Sequence, residues 1–421
     1  MKTATKECAK RLVWMLAVVV CTAATASMAQ AQVPPDIETA LRNIGQIVDP
    51  PCTAKLYRPL MPKNDYNTYW PPNAPAPTNL MPLYPGIKLA RDVSFGSHPK
   101  DLIDIFSPEK GGSNRTVLIY VPGGAGNKIE QQNREANAFY DNIGRWAVKN
   151  DMIGVAMQRH PGENWDDGAK DISTMIQWLQ SNVVKYGGNP NRMFIWAHSA
   201  GNGPLGIYIG HPELHGPKGS GVKGAVFMSG NPVPDLGTQG GRGGGRGAGG
   251  QGGPGAAVAN PLAGAGTTCG ETGGATSTAG LISGPSGTTP APPRGTGATG
   301  DRGRGGGAPG PGGGGGRGGQ QLDAATIAAR SNLPGFKSTN VAIMLARAEL
   351  DPGVSGDMTA ADIAIHDELC KVDGPKAKDG AGHCPTMLYL KDESHMSEVF
   401  SIDTPDQTVS GPILAWMKKI K

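Results

Sequence analysis

The sequence lacks a large charge imbalance, and this scarcity excludes one class of partner. The 421 residues carry a formal net charge of only +4. The first eleven positions hold four basic residues and one acidic residue, which leaves a net charge of about +1 for the rest. Bulk charge therefore gives no reason to expect a nucleic-acid partner.

The N-terminal region has no apolar run long enough for a membrane span. Residues 12–24 are apolar, but they fall short of the ~20 residues that cross a bilayer. They follow a basic stretch and precede the small-residue pattern Ala29-Gln30-Ala31. This arrangement is typical of a secretory signal. We expect cleavage before Gln32, no membrane span afterwards, and a periplasmic or secreted protein.

Cysteine is also scarce, with six residues, of which four remain after cleavage at Gln32. The absence of a C-x-x-C pair argues against a cysteine-based zinc site, and we expect no metal. An oxidising compartment permits disulfides. Cys370 and Cys384 flank a polar, glycine-containing loop and form the predicted pair. Cys52 and Cys269 are the leftover pair, and the sequence leaves open whether they join.

Glycine, in contrast, is abundant, and its distribution divides the chain. More than half of the 65 glycines lie within residues 237–319. Such a segment buries too little apolar surface to offset its ordering entropy, which predicts a disordered insertion. Its Gly-Arg stretches at 241–246 and 302–306 resemble RNA-binding tracts. Export favours a flexible insertion instead, with surface adhesion as an alternative.

The remaining chain is predicted as a proline-rich N-terminal arm over 32–87 and one α/β domain formed by 88–236 and 320–421. Within the arm, residues 35–48 favour a short helix that Pro50-Pro51 ends. In the domain, strand and helix patterns alternate, which predicts a mostly parallel, doubly wound sheet with helices on both faces. Strands are predicted at 88–95, 101–106, 116–121, 152–157, 193–197, 222–228, 340–348 and 386–390, and helices at 135–148, 166–186, 323–330, 359–369 and 410–419.

The sequence Trp196-Ala197-His198-Ser199-Ala200-Gly201 ends the fifth of these strands and leads into a helix. Strand, tight turn, serine and helix form the context of a G-x-S-x-G nucleophile elbow. Ala197 replaces the first glycine of that motif. Ser199 is the candidate nucleophile, and the helix N-terminus beyond it supplies N–H groups for an oxyanion.

A serine nucleophile needs an imidazole to take its proton and a carboxylate to orient the imidazole. Asp351 and His395 each follow a predicted strand, and strand ends meet at one edge of an open sheet. Glu349 and Asp357 compete with Asp351 for the acid. The other histidines compete with His395 for the base, although none of them lies between the last strand and the final helix: His98, His160, His198, His211, His215, His366 and His383.

The glycine loop at 122–126 (PGGAG) follows the third predicted strand and is the candidate for the second half of an oxyanion hole. Ala200 supplies one N–H donor and either Gly124 or Ala125 the other. The loop lacks both the G-K-[ST] ending of a phosphate-binding P-loop and the G-x-G-x-x-G of a dinucleotide fold, so no nucleotide cofactor is expected.

Taken together, these pieces resemble the α/β-hydrolase carboxylesterases of the hormone-sensitive-lipase and feruloyl-esterase-like kind. The resembling stretches are LIDIF at 102–106, YVPGGA at 120–125, YGGNPNR at 186–192, the elbow, ELDP at 349–352 and HMSEV at 395–399. Pro122, Ala125 and Ala197 depart from the pattern of that family. The insertion falls near the position where the family carries its cap.

The resemblance implies a cofactor-free serine hydrolase that cleaves a small-molecule carboxylic ester through an acyl-enzyme. It assigns Ser199 as nucleophile, Asp351 as acid, His395 as base, and Gly124, Ala125 and Ala200 to the oxyanion hole. Two alternatives stay open, namely a serine peptidase on the same fold and a non-catalytic surface or binding protein that uses the Gly/Arg-rich insertion. These motifs carry no signal for oligomeric state.

Overall fold

The computed structural model describes residues 32–61, 84–124, 140–160, 162–236, 323–354 and 356–420. The strands are β1 (Ile87–Ser94), β2 (Leu102–Pro108), β3 (Arg115–Val121), β4 (Ile153–Met157), β5 (Gly188–His198), β6 (Gly224–Met228), β7 (Ala342–Leu350) and β8 (Thr386–Ser394). The helices are α1 (Pro35–Ile44), α2 (Pro50–Tyr57), α3 (Asp141–Lys149), α4 (Asp167–Asn182), α5 (Asn202–Gly210), α6 (Ala324–Ala329), α7 (Leu333–Phe336), α8 (Ala360–Cys370), α9 (Ser397–Phe400) and α10 (Ser410–Lys419).

The eight strands form one sheet in the order β1-β2-β4-β3-β5-β6-β7-β8. β1 pairs with β2, and β2 with β4, in antiparallel register, whereas all pairs from β4 to β8 are parallel. The strand order reverses direction at β3, because β4 lies on one side of it and β5 on the other. Ligands bind at such a switch point in open α/β sheets, outside the carboxyl ends of the strands. The predicted fold class is confirmed.

Helices cover both faces of the sheet, as the continuous apolar strand sequences require. In β3, Val117, Ile119 and Val121 face one hydrophobic core, which α4, α5 and α8 complete. Leu118 and Tyr120 face the other core, which α1, α2, α3 and α10 complete. Strand side chains alternate between faces, so an uninterrupted apolar run is buried on both sides.

The N-terminal arm differs from its prediction in one respect. Pro50 begins the helix α2 rather than simply ending the preceding helix, which already stops at Ile44. Proline fits the first turn of a helix because its missing N–H has no partner there. Leu41 and Tyr57 are completely buried in the same hydrophobic core as Leu118 and Tyr120 of β3. Most of the remaining arm, residues 62–83, lies outside the described residues.

Two strands near the C-terminus extend further than predicted. β7 continues to Leu350 and β8 to Ser394, so that their ends pair with each other. The residues after Leu390 are polar, so the sequence pattern did not indicate that β8 continues. Predicted helix 135–148 is described only from Asp141 onward, because residues 125–139 lie outside the described residues.

The predicted insertion, residues 237–319, lies outside the described residues. The chain divides into two compact units, and the second, Ala257–Ser331, is described only from residue 323. There α6 begins after Asp323, whose side chain accepts a hydrogen bond from the Thr326 amide, as an N-cap does. Within the described ranges, no helix has the length and apolarity of a membrane span.

A disulfide joins Cys370, at the end of α8, to Cys384, just before β8, across 14 positions of sequence. Cys52 is also disulfide-bonded. Its predicted partner, Cys269, lies outside the described residues, so that pairing stays a prediction.

Removing the Cys370–Cys384 disulfide should destabilise the domain. We expect the double variant Cys370→Ala/Cys384→Ala to lose about 3 kcal/mol, because a loop of this size would become unconstrained in the unfolded chain. Urea denaturation followed by far-UV circular dichroism measures the loss. An unchanged midpoint in the double variant would contradict a stabilising role.

A buried acidic cluster lies beneath the end of β8. Glu393 is completely buried and contacts the hydroxyls of Ser397 and Thr408, while Asp406 accepts a hydrogen bond of 3.1 Å from Tyr57. Burial, together with the negative charge of Asp406, raises the pKa of Glu393 to about 8. A carboxyl group with a raised pKa binds its proton more tightly in the folded state than in the unfolded state.

This cluster makes stability dependent on pH. The contribution of Glu393 is fully present below its unfolded pKa, near 4.5, and is lost as pH rises toward 8. We therefore expect the free energy of unfolding of the wild type, relative to Glu393→Gln, to fall between pH 5 and pH 8. Urea titrations at pH 5, 6.5 and 8 measure this difference. The exposed Glu109→Gln is the control and should run parallel to the wild type.

Candidate active site

Ser199 lies at the sharp turn between β5 and α5. Its φ of +51° falls in the left-handed region, where a non-glycine residue is strained. Strand β5 ends at His198, a short 3-10 turn covers Ser199–Gly201, and α5 follows. This is the strand-turn-helix geometry of a nucleophile elbow.

Two glycines allow the close packing around this turn. A Cβ on Gly123 would lie 2.8 Å from the Cβ of Ser199, and a Cβ on Gly201 would lie 2.6 Å from the carbonyl oxygen of Val121. Both distances are shorter than any real contact of this kind, so neither position admits a side chain. Gly201 is the second glycine of the elbow motif, and Gly123 comes from the loop after β3.

Ala197 occupies the place of the elbow's first glycine without disturbing the sheet. It is completely buried in the core and stays in register between Val121 of β3 and Phe227 of β6. Its methyl group is therefore part of the hydrophobic packing beneath the turn. The close approaches that require glycine are those of Gly123 and Gly201.

Asp351, His395 and Ser199 lie in one hydrogen-bonded line at the carboxyl edge of the sheet. His395 Nε2 is 2.9 Å from Ser199 Oγ, and His395 Nδ1 is 2.6 Å from Asp351 Oδ1. Asp351 and His395 are buried, while Ser199 is half-buried. A proton on Nδ1 bonds to the carboxylate, which leaves the Nε2 lone pair directed at the serine hydroxyl.

The competing acids lie elsewhere. Glu349 is on β7 itself, where it accepts a hydrogen bond of 2.7 Å from the Asp392 amide and pairs with Arg42. Asp357 is exposed. Neither carboxylate replaces Asp351 as the partner of His395.

The competing histidines have other partners among the described residues. His211 contacts Glu213, His366 contacts Asp379, and His383 contacts Asp373. His215 contacts the Tyr208 carbonyl. His98 and His160 stack on each other with ring centroids 4.0 Å apart.

His198, the neighbour of Ser199 in sequence, turns beneath the site. Its Nε2 lies 2.9 Å from the carbonyl oxygen of His395 and 3.1 Å from Glu398 Oε1. Burial lowers the pKa of His198 to about 4 and raises the pKa of Glu398 well above its ordinary value. His198 is therefore uncharged at neutral pH, and its Nε2 contact holds the backbone of His395 in place.

Arg347 holds Asp351 from the side opposite to His395. Its Nη1 lies 2.5 Å from Asp351 Oδ2, and its Nε lies 2.9 Å from Asp362 Oδ2. Its Nη2 also donates to the Gly230 carbonyl, at 2.7 Å. Burial alone would raise the pKa of Asp351, but hydrogen bonding to His395 and the charge of Arg347 lower it below its ordinary value. Asp351 is therefore ionised at neutral pH.

The loop after β3 reaches Ser199 from above. Gly124 has a φ of +56°, which favours glycine, and directly follows Gly123. Ala200 begins the first turn of the helix beyond Ser199, where N–H groups have no partner within the helix. Gly124 and Ala200 thus flank the serine. Ala125 lies outside the described residues.

The side chain of Arg159 binds the backbone of this loop. It donates to the carbonyl oxygens of Pro122, at 2.7 Å, and Gly124, at 2.8 Å, with a longer contact of 3.4 Å to Gly123. Burial lowers the pKa of Arg159, although an arginine keeps its charge in proteins. A carbonyl that faces the guanidinium turns its peptide N–H toward the opposite side.

One protein-family model matches part of the chain. Residues 103–211, which run from β2 through the elbow helix α5, match the BD-FAE family model. The chain has the α/β-hydrolase fold. The matched segment holds Ser199 and the glycine loop, whereas Asp351 and His395 lie beyond it.

Sequence relatives are similar to about a quarter to a third of the chain. A probable isoprenylcysteine alpha-carbonyl methylesterase of Arabidopsis thaliana is 25% identical over 119 residues, 27% of this chain and 26% of that protein. The acylcarnitine hydrolase of Mus musculus is 27% identical over 150 residues, 32% of this chain and 24% of that protein. The chain thus spans about a quarter of the length of these relatives.

Solved structures with detectable similarity include a truncated carbohydrate esterase from gut microbiota. It shares 12% identity with a TM-score of 0.45, over 79% of this chain and 96% of that chain. Esterase B from Lactobacillus rhamnosis shares 12% identity with a TM-score of 0.43, over 80% of this chain and 87% of that chain.

Sequence reasoning missed Arg159, Arg347 and Glu398. Arg347 lies in the apolar β7, and a lone arginine within a buried strand is a signal that it has a carboxylate partner. Arg159 follows β4 without such a signal, because its partners are backbone carbonyls. Glu398 lies three residues after His395, within the stretch already quoted for the site.

Loosening the glycine loop should slow the reaction of Ser199. We expect Arg159→Met to lower the second-order rate constant for inactivation by a fluorophosphonate about 10- to 100-fold, somewhat less than the loss of a direct oxyanion donor. The rate constant is measured by stopping the reaction at a series of times and quantifying the labelled protein. Arg192→Met, in the N-terminal half of β5, removes an arginine that contacts Thr116; it is the matched control and should react like the wild type. Equal rates in a folded Arg159→Met protein would refute this role.

Proposed function

We propose that the protein is an exported serine hydrolase that cleaves small-molecule carboxylic esters through an acyl-enzyme. The observation that carries the proposal is the continuous hydrogen-bonded line from Asp351 through His395 to Ser199, at the switch point of the sheet. The matching family segment and the esterases and hydrolases among the relatives support the same reaction class.

In the proposed first step, His395 Nε2 takes the proton from Ser199 Oγ as that oxygen attacks the ester carbonyl. The tetrahedral intermediate collapses when His395 returns the proton to the leaving alcohol, and the acyl group remains on Ser199. A water molecule then repeats the sequence, with His395 again acting as base and afterwards as acid. The reaction needs no cofactor.

Asp351 serves this cycle by its charge. The lowered pKa keeps it ionised, so it holds the Nδ1 proton and stabilises the imidazolium that forms in each half-reaction. Arg347 keeps the carboxylate in one orientation through its Nη1. Part of the negative charge of Asp351 is thereby shared with Arg347 instead of being directed only at His395.

We assign the oxyanion to the N–H groups of Ala200 and of Gly124 or Ala125. The first belongs to the turn at the start of the elbow helix, and the second to the loop that Arg159 holds from behind. The guanidinium adds positive charge on the far side of that loop. In a water-poor site, fixed donors and charges of this kind stabilise a developing oxyanion more strongly than water does.

Export is part of the proposal. The N-terminal basic and apolar stretches with the Ala-Gln-Ala pattern support cleavage of a signal, and the Cys370–Cys384 disulfide suits an oxidising compartment. A periplasmic or secreted location follows from both.

The triad assignment is tested by variants that separate the two nearby acids. We expect Ser199→Ala to abolish hydrolysis of p-nitrophenyl acetate and butyrate, and Asp351→Asn to lower kcat about 10⁴-fold because the imidazole is held in the wrong tautomer. Glu349→Gln alters a carboxylate on β7 that is not the partner of His395, so this variant should keep nearly full activity. Hydrolysis is followed by release of p-nitrophenol at pH 8.

Three results would overturn the proposal. Full activity of Ser199→Ala would remove the nucleophile, and faster cleavage of peptide anilides than of matched esters would indicate a peptidase. A chain without residues 237–319 should retain esterase activity. If the wild type instead lacks turnover on every ester of a broad panel, a binding role for the insertion is favoured.

A further inference from the structure

A second cluster of polar side chains lies away from the triad, on the outer side of β4. His98 and Asp101 come from the turn between β1 and β2, His160 follows β4, and Asp171 comes from the second turn of α4. β2 is the antiparallel neighbour of β4, and α4 follows β4 in sequence, so all of these segments lie near the carboxyl end of β4. The reaction proposed for Ser199 uses none of the four residues.

Three residues of this cluster bring their donor atoms close together, and the fourth, Asp171, contacts His160. His160 Nε2 lies 3.4 Å from Asp101 Oδ1 and 3.1 Å from Asp171 Oδ2. One donor atom each from His98, Asp101 and His160 falls within a span of 4.8 Å. Ligands that each lie ~2.0–2.2 Å from a tetrahedral zinc ion are separated from each other by roughly 3.2–3.6 Å. The two measured separations are close to this range.

The electrostatic environment also favours a cation. Asp101 Oδ1 is buried, and among the described residues no donor gives it a hydrogen bond. Asp101 and Asp171 are both carboxylates that contact His160, and a bound cation would compensate their negative charge.

We propose that His98, Asp101, His160 and Asp171 form a binding site for a divalent transition-metal ion, with zinc as the expected occupant. Two imidazoles with two carboxylates suit zinc, whereas calcium and magnesium prefer oxygen ligands alone. The exposed His98 ring stacks on His160, and its Nδ1 accepts a contact of 3.1 Å from the Lys100 amide, so coordination through Nε2 leaves that contact in place.

The ion would stabilise the fold by cross-linking three segments of the chain. It would tie the β1–β2 turn to the segment after β4 and to α4, elements that are otherwise separated by about 70 positions of sequence between Asp101 and Asp171. His160 directly follows Arg159, which supports the glycine loop beside Ser199. The occupied site would therefore stabilise the segment on which that loop rests, without contact between the metal and the substrate.

A second group of possible ligands is less suitable. His366 and Asp379 lie beside Cys370 and Cys384, but the two sulfur atoms are joined in the disulfide. Zinc binds cysteine as thiolate, so this group offers only two ligands while the disulfide is intact. It is the natural control for nonspecific binding.

The test measures metal in the full chain directly. Protein stripped with a chelator is incubated with excess ZnCl₂ and dialysed, and its zinc content is determined by mass spectrometry. We expect about one zinc per chain, and at least a tenfold loss of affinity by calorimetry in His98→Ala and in His160→Gln. His366→Ala, the matched control, should bind zinc like the wild type. Cobalt(II) should give the visible absorption of a tetrahedral site.

Several outcomes would overturn the proposal. Zinc at much less than one per chain in the wild type would do so, as would unchanged affinity in both His98→Ala and His160→Gln. Loss of zinc in His366→Ala instead would place the ion at the disulfide cluster. Circular dichroism shows whether each variant is folded, and Asp171→Asn provides a further ligand variant if His160→Gln is not.

Discussion

The close approach between the turn at Ser199 and the loop after β3 is the constraint on which the site depends. Ser199 adopts a strained, left-handed conformation, and the backbone of Gly123 packs against it at a distance that no side chain allows. This contact occurs where the strand order reverses, because there the loops after β3 and β5 separate to opposite faces. The nucleophile and the candidate oxyanion donors are thus brought together by the topology itself.

Buried charge organises the surroundings of this contact. Arg347 links Asp351 to Asp362 at the start of α8, and Arg159 is bonded to the carbonyls of the glycine loop. Beneath them, burial lowers the pKa of His198 and raises the pKa of Glu398, which disfavours the charged form of each. Each charged group that remains has a partner close by, so the electrostatic field around His395 comes from a few fixed positions.

Much of the architecture was predictable because local patterns carried it. The apolar runs of β3 and β5 indicated strands buried on both faces, and the elbow sequence placed Ser199 at a turn between a strand and a helix. Where the prediction failed, a local signal was ambiguous. Pro50 can end one helix or begin another, and the polar end of β8 looked like a loop although it pairs with β7.

The sequence by itself determined the order of strands and helices along the chain and named Ser199, Asp351 and His395 as candidates, because periodicity and motif are properties of neighbouring positions. Only the tertiary structure decided which charges surround them. Arg159 binds backbone carbonyls that carry no residue-specific signature, and His98, Asp101, His160 and Asp171 come from three separate elements. Contacts between distant segments depend on how the strands are ordered in the sheet, which no local pattern encodes.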